Sequence, residues 1–411
     1  MARILILVER FYPEDFLVND LVSEWIKLGD NLEVLTQVPS YPFDKIFDGY
    51  KNRTYQTTKE VLPSSEGDDN GQEVLVHRIS TIFGYNRSVK RKVLNYLHFA
   101  WLTFWWVLWN GRKYDRIFVY HTAALTMATG VIPLRWIWRK PISIWTQDLW
   151  PDAVWGFGFK PNKLKVALLN SFVRIIYSCC DRIMVSCRGF AGRIKELTGR
   201  DVEFVPQWDT MPDDVFAEDN NKQRKDTDPV IFMFAGNLGK PQNLDNVLSG
   251  FAEFQAYQGF SDKRCELWFV GGGVMLEPLQ ARVKTEKTPN VYFKGRQPKS
   301  EMAQWYKKAD VLIISLTSEY SLTLPGKFQS YIKTGKALLG ILKGYAREMI
   351  EENGLGQVAD PDDIKSIARG FELTYNDVLS GEARSSGIRA RKLSAENFNR
   401  TLLIGKLVAA R

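Results

Sequence analysis

Histidine and cysteine are scarce in this 411-residue chain, with only His77, His98 and His121 of the first and Cys179, Cys180, Cys187 and Cys265 of the second. No histidines are paired at ligand spacing and the cysteines lack metal-ligand spacing, so neither a resident metal nor a disulfide framework is expected. The start, Met1-Ala2-Arg3-Ile4, runs into a strand pattern without the regions of a signal peptide, which predicts a reduced, cytoplasmic location. The Walker loop and the dinucleotide fingerprint are both absent. Acid is sparse in one long stretch: residues 77–200 hold 20 Lys and Arg against 5 Asp and Glu, and the remainder 35 against 42. At 45% hydrophobic and 25% charged, the composition excludes a disordered or fibrous chain and, with this length, implies two or three domains.

The basic stretch also holds nine of the thirteen tryptophans, at 101, 105, 106, 109, 136, 138, 145, 150 and 155. A basic aromatic face attracts nucleic acid or an anionic membrane surface. Between Lys92 and Arg112 no residue is charged, and the run is apolar apart from Asn95, His98 and Thr103, which favours lipid. With Arg87, Lys90, Arg91 and Lys92 before it and Arg112, Lys113 and Arg116 after it, the segment 87–116 reads as an interfacial helix, a buried core helix or a marginal span.

Apolar runs alternate with helical patterns. Strands are expected at 3–8, 32–36, 117–120, 142–145 and 182–185, and a helix through Leu21, Val22, Trp25, Ile26 and Leu28 stops at Gly29. Residues 62–72 form a polar loop. The pattern restarts with strands at 230–235, 265–270, 291–293 and 311–314. This is the signature of a doubly wound α/β chain with two Rossmann-like halves facing a cleft and ligands beyond the carboxyl ends of the strands. The expected organisation is a first domain over 1–206, an acidic linker over 207–228, a second domain over 229–388 and a helical tail over 389–411 that packs back on the first domain.

Three glycine-bearing loops follow strands of the second half. Ala235-Gly236-Asn237-Leu238-Gly239-Lys240 and Gly271-Gly272-Gly273 serve equally as tight turns or as anion sites. Leu324-Pro325-Gly326-Lys327 opens a helix with Phe328, Tyr331 and Ile332 on one face and Gly335 as its stop. Free amides, the positive dipole end and Lys327 meet there, which makes it a candidate diphosphate receptor.

The order of these motifs resembles the GT-B-fold, family 4 retaining glycosyltransferases, and within them the fucosamine, colanic-acid and O-antigen transferase branch. The stretches that carry the resemblance are Phe11-Tyr12-Pro13-Glu14, Leu35-Thr36-Gln37-Val38-Pro39-Ser40-Tyr41-Pro42 with Gly49-Tyr50, Gln147-Asp148-Leu149-Trp150-Pro151-Asp152, Val205-Pro206-Gln207-Trp208, Gly236 to Lys240, and Pro325-Gly326-Lys327 through Tyr331 to Gly335-Lys336. The resemblance implies a nucleotide-sugar donor held by the C-terminal domain, an acceptor held by the N-terminal domain, and retention at the anomeric carbon with no metal or other cofactor. The leaving diphosphate then falls to cations and amides: Lys240 and Lys327, assisted by the amides of 325–328 and Gly236, with Arg296 as a further candidate. The donor set is completed by Asn237, Gln242, Gly271, Gly272, Glu319, Pro325, Gly326, Phe328, Ser330 and Tyr331.

The departures from the family pattern concern the same positions. Asn237 and Gln242 stand where most members have arginine and lysine. Leu322 and Ser330 stand where a pair of glutamates is usual, the second a ribose ligand. Glu319 is either a substitute or a solvated surface acid. In the first loop, Glu14 to Asn19 replaces the usual paired glycines. On the acceptor side the resemblance implies Glu14, Asn19, Tyr41 and Trp150, with Asp148 orienting a hydroxyl or, alternatively, capping a helix. Trp150 and Trp155 stack on sugar, support the lipid-facing helix or pack in the core.

Together these readings describe a hexosyl or N-acetylhexosaminyl transferase, with a UDP-sugar favoured as donor. The expected acceptor is a polyprenyl-diphosphate-linked saccharide of bacterial O-antigen, capsule or exopolysaccharide. The protein is expected to work as a peripheral enzyme at the anionic inner face of the inner membrane, without a nucleic-acid partner. The alternatives are a GT-B-fold nucleotide-sugar epimerase and a catalytically degenerate membrane- or nucleic-acid-binding module.

Overall fold

The computed structural model describes residues 2–42, 44–63, 71–84, 88–152, 154, 162–216, 228–258 and 264–409. The chain divides into two compact units, Met1–Pro206 with Thr401–Arg411, and Gln207–Arg400. Arg87, Trp155, loop residues 64–70 and linker residues 217–227 lie outside the described residues.

The first unit runs β1 (Arg3–Val8), α1 (Leu17–Lys27), β2 (Asn31–Gln37), β3 (Tyr55–Leu62), β4 (Gln72–Ile79), α2 (Val89–Asn110), β5 (Arg116–His121), α3 (Val131–Trp136), β6 (Ile142–Thr146), α4 (Lys163–Ser178), β7 (Arg182–Val185), α5 (Gly189–Thr198) and β8 (Glu203–Phe204). Its sheet order is β3-β4-β2-β1-β5-β6-β7-β8. Every pairing is parallel except that of β3 with β4. Central β1 is buried from Ile4 to Val8 because helices cover both faces of a parallel sheet. Edge strand β3 instead shows an alternating, largely exposed pattern, and its polar Thr57, Thr58, Lys59 and Glu60 hide it from a search for apolar runs.

A polar network is buried beneath α2. The Glu33 carboxylate accepts from Arg3, from His77 Nε2 at 2.8 Å and from the Tyr114 hydroxyl at 2.6 Å, with Lys113 Nζ at 3.4 Å. Burial alone would raise this carboxyl, but the bonds from Tyr114, His77 and Arg3 outweigh it and hold the group at about 2. Its contribution to stability is therefore complete above the ordinary value of 4.5 and is lost as pH falls toward about 2. Glu33→Gln is expected to cost about 3 kcal/mol at pH 7 and to flatten the acid limb of the stability curve, measured by urea unfolding between pH 3 and 7.

The second unit runs β9 (Val230–Ala235), α6 (Leu244–Gln258), β10 (Cys265–Val270), α7 (Leu276–Glu286), β11 (Val291–Gly295), α8 (Met302–Lys308), β12 (Val311–Ser315), α9 (Lys327–Thr334), β13 (Ala337–Ile341), α10 (Tyr345–Glu352), β14 (Gly356–Ala359), α11 (Ile364–Ser380) and α12 (Glu382–Asn397). The sheet β11-β10-β9-β12-β13-β14 is parallel throughout. Its core is aromatic, with Phe232, Phe251, Phe254 and Phe371 in mutual ring contact.

Residues 207–216 belong to this second unit and do not form a free linker. The Ser330 hydroxyl bonds Asp209, and Lys333 bonds the Met211 carbonyl, so the segment is strapped along α9. The C-terminal tail also divides. Helix α12 packs on α9, whereas α13 (Arg400–Val408) leads into the first unit, where Arg182 donates to the carbonyls of Lys406, Leu407 and Ala409.

Candidate active site

In the second unit β9, β10 and β11 succeed one another in one direction across the sheet, and β12 lies on the other side of β9. The strand order reverses at β9 and β12, and ligands of open α/β sheets bind beyond the carboxyl ends at such a point. The loops after β9 and β12 meet there, with the Thr317 amide donating to the Pro241 carbonyl at 2.9 Å.

Lys327 is the first residue of α9, and its side chain lies across Gly236. Its Nζ stands 3.5 Å from the centre of the Phe234 ring and is buried with no hydrogen-bond partner. Burial pulls this amine down from the ordinary 10.5 to about 7. Gly236 has φ +130, and a Cβ there would strike Lys327 Cε, so glycine is what lets the lysine close over the loop. Gly271 is more tightly constrained, with φ +147 and a Cβ position that collides with the Gly236 carbonyl oxygen. Gly272 is open, its nearest heavy atom being Arg296 Cβ at 3.9 Å. Lys240, Asn237 and Arg296 are exposed.

Several expected donor residues turn out to hold the loops themselves. The Gly236 amide donates to the Val270 carbonyl at 2.8 Å, so the expected free amide at that position is not there. The Gln242 side chain accepts from the Gly239 amide, and Tyr331 is fully buried with its hydroxyl on both polar groups of Ala235. Phe328 is buried against Phe398. Ser330 is engaged by Asp209. A bond from the Thr317 side chain, then its own backbone amide, pulls the exposed Glu319 carboxyl down. Pro325 accepts from the Phe328 amide and starts the helix, while Gly326 is exposed.

In the first unit the order reverses between β1 and β5. Glu14 is a brace: its carboxylate accepts from the amides of Ser40 at 2.7 Å and Tyr41 at 2.6 Å. Asn19 accepts from the Tyr12 amide and donates to the Glu14 carbonyl. Asp148 accepts from the Ala123 amide at 2.5 Å, and Trp150 Nε1 donates to the Ala123 carbonyl at 2.7 Å. Together they fix Ala123 at φ +58, a left-handed conformation costly for a non-glycine residue. Tyr41 is 45% exposed and available to a ligand.

Three ionisable groups at this end escaped the motif reading. Glu9 follows β1, is 3% exposed, and has a buried Oε2 with no hydrogen-bond partner. Burial raises its carboxyl, and burial likewise raises that of Asp148. Lys92, from the first turn of α2, is lowered by burial but favoured as a cation by Glu9 and then Asp148. His121 at the end of β5 is fully buried, and burial lowers it to about 3 against the opposing pull of the Ala123 backbone. The only available signal was position after a strand, and Glu9 and His121 occupy those places. Among the described residues no group of three or more His, Cys, Asp or Glu could hold a metal ion.

Residues 215–392 match the family model of glycosyl transferases group 1. The chain is 23% identical over 273 residues to the probable glycosyltransferase WbjE of Pseudomonas aeruginosa, a match covering 64% of this chain and 66% of that protein, just under two thirds. It is 22% identical over 366 residues to the putative colanic acid biosynthesis glycosyl transferase WcaI of Escherichia coli K12, covering 85% of each. Among solved structures, HepE of Anabaena in complex with UDP superposes with a TM-score of 0.68 at 12% identity, covering 99% of this chain and 98% of that one.

Proposed function

Residues 215–392 match the glycosyl transferases group 1 model and the fold is GT-B, and we propose that the chain moves a sugar from a UDP-sugar to a polyprenyl-diphosphate-linked saccharide during assembly of a bacterial surface polysaccharide. The observation that carries the donor half is the buried, unpartnered ammonium of Lys327 over Gly236 at the reversal point of the second sheet. An isolated buried cation is costly, and a ligand diphosphate would supply the missing counter-charge. The UDP named in the HepE structure favours a uridine donor, and the names of WcaI and WbjE favour polysaccharide assembly.

Chemistry at the anomeric carbon requires stabilisation of the departing nucleoside diphosphate. Lys327 meets the developing charge from the interior, Lys240 from the exposed rim, and the first amides of α9 add their dipoles. The departing phosphate oxygen takes the proton of the acceptor hydroxyl, so the new bond forms on the face that loses the old one and configuration is retained. In the first unit Asp148 and Trp150 act by holding the Ala123 turn, and Glu9 and Lys92 are the polar groups offered to the acceptor. The outer face of α2 favours a peripheral position on the cytoplasmic side of the inner membrane. No helix among the described residues is long and apolar enough to cross a membrane, and α2 combines a buried side (Phe99, Trp106, Val107) with exposed Leu94, Leu97, Trp101 and Trp109.

Lys240→Ala is expected to change stability by less than about 0.5 kcal/mol and to lower kcat/KM for the donor by about 10- to 100-fold. A thermal-shift panel of UDP-, GDP-, CMP- and dTDP-sugars tests the donor class, since only a ligand of the folded state raises Tm. A shift confined to UDP-sugars is expected. A shift confined to another base would replace UDP, and no shift with any of the four would remove the donor reading.

A further inference from the structure

Helix α4, Lys163–Ser178, exposes Leu164, Leu168 and Ile175, with exposed Ser171 between them, a spacing of four, three and four that places all four on one stripe. Its opposite side buries Val173, Ile176 and Tyr177 in the unit. Three large aliphatic side chains at 49–69% exposure on one stripe need a partner outside the fold.

Topology puts this stripe on the same face as that of α2. From β5 to β6 to β7 the chain steps the same way across the sheet, and the crossover from β4 to β5 steps that way too. Right-handed crossovers therefore lay α2, α3, α4 and α5 on one face, with α1, on the reverse step from β1 to β2, on the other. Contacts agree: α2 packs on α3 and on the turn at Leu125–Gly130, and α4 packs on that same turn. Between the two stripes Trp138 Nε1 donates to the Leu108 carbonyl and Lys140 Nζ to the Arg112 carbonyl. Trp136 and Ile137 fill the interval at 72% and 54% exposure, and the Trp136 side chain is bonded to Cys179 at the end of α4.

Charge identifies the occupant. Helices α2, α3 and α4 contain no Asp or Glu, while Lys90, Arg91, Arg135, Lys163, Lys165 and Arg174 stand on them. On the opposite face α1 carries Asp20 and Glu24. Arg135 is paired with Asp181 just beyond α4, and Glu196 stands on the neighbouring α5, but the apolar stripes themselves are flanked mainly by cations. Such a surface complements an anionic lipid bilayer, where aliphatic and Trp side chains enter the acyl boundary and Lys and Arg meet the headgroup phosphates.

We propose that α4 is a second membrane-contacting helix, and that the first unit rests on anionic lipid through two helices bridged by Trp136 and Ile137. This rests on the reading that α2 contacts the bilayer and extends the contact to a surface that sequence motifs do not mark. The geometry defines a plane, which fixes the orientation of the unit on the membrane. A single helix would leave it free to roll.

The test is flotation of the full chain with vesicles of phosphatidylcholine and phosphatidylglycerol in a 7:3 ratio, beside pure phosphatidylcholine vesicles. The variants are Leu164→Ser/Leu168→Ser/Ile175→Ser on α4 and Trp101→Ser/Trp109→Ser on α2, with circular dichroism confirming unchanged folds. Each is expected to lower partitioning to the anionic vesicles by about tenfold or more, with weak binding to the neutral ones. If the α4 variant floats like wild type while the α2 variant is lost, the second helix is overturned and the first contact stands. If neither variant matters, or if the α4 variant only converts a dimer to a monomer in sedimentation, the membrane plane is wrong, the second outcome making the stripe an interface between copies.

Discussion

Lys327→Met is expected to raise the stability of the chain while removing its hold on the donor. In the unfolded chain the amine is charged up to about its ordinary 10.5, and in the fold only below about 7. Folding therefore works against its protonation: stability contributed at this site rises with pH between about 7 and 10.5, and the full cost is felt below 7. Methionine fills the same space over Phe234 without a charge, so Tm rises at pH 6–7, with a gain of up to about 4 kcal/mol. Donor affinity moves the other way. A diphosphate binds the ammonium form, so wild-type affinity for UDP should weaken above pH 7 by up to about tenfold per pH unit, and the variant should bind weakly at every pH. Calorimetry of UDP binding from pH 6 to 9, beside thermal unfolding of both proteins, reads both quantities. A variant that loses stability and keeps its affinity would show that Lys327 is a packing residue.

Gly271→Ala is expected to be the most damaging single methyl in the second unit. Its φ of +147 is strained for any side chain, and the new Cβ would sit on the Gly236 carbonyl, a backbone atom with no room to yield. Strain and overpacking together cost about 3–5 kcal/mol. The neighbouring Gly272→Ala meets nothing closer than 3.9 Å and should leave stability within about 0.5 kcal/mol. Urea unfolding of the pair separates the two glycines: one shapes the loop, and the other presents the open surface on which a donor phosphate would rest. Equal stabilities would contradict the close approach of the 236 and 271 loops.

Much of this arrangement was legible in the sequence. The parallel strands announced themselves as apolar runs, and Lys327 was marked by a Pro-Gly start and a glycine stop. Other features could not be read, for physical reasons. Strand β3 is half-exposed and polar, so it resembles loop until it is seen paired with β4. Glu14, Asn19 and Gln242 are polar residues in segments that follow strands, and sequence does not show whether such a group faces a ligand or braces its own backbone; here all three brace. Ser330 takes its partner Asp209 from a stretch whose acidic composition reads as a linker. The α4 stripe needed the sheet order before it could be placed beside α2, because nothing in Leu164, Leu168 and Ile175 alone distinguishes an outer stripe from a core one.

The central assignment is transfer from a nucleotide sugar to a lipid-linked acceptor, and the direct measurement supplies both. The full chain is incubated with a radiolabelled UDP-sugar and a polyprenyl-diphosphate-linked saccharide in anionic vesicles, and label is counted in the lipid fraction. Label is expected in lipid with wild type and reduced by about 100-fold or more with Lys327→Met. Absence of label in lipid from any nucleotide sugar, or transfer undiminished by Lys327→Met, would contradict it.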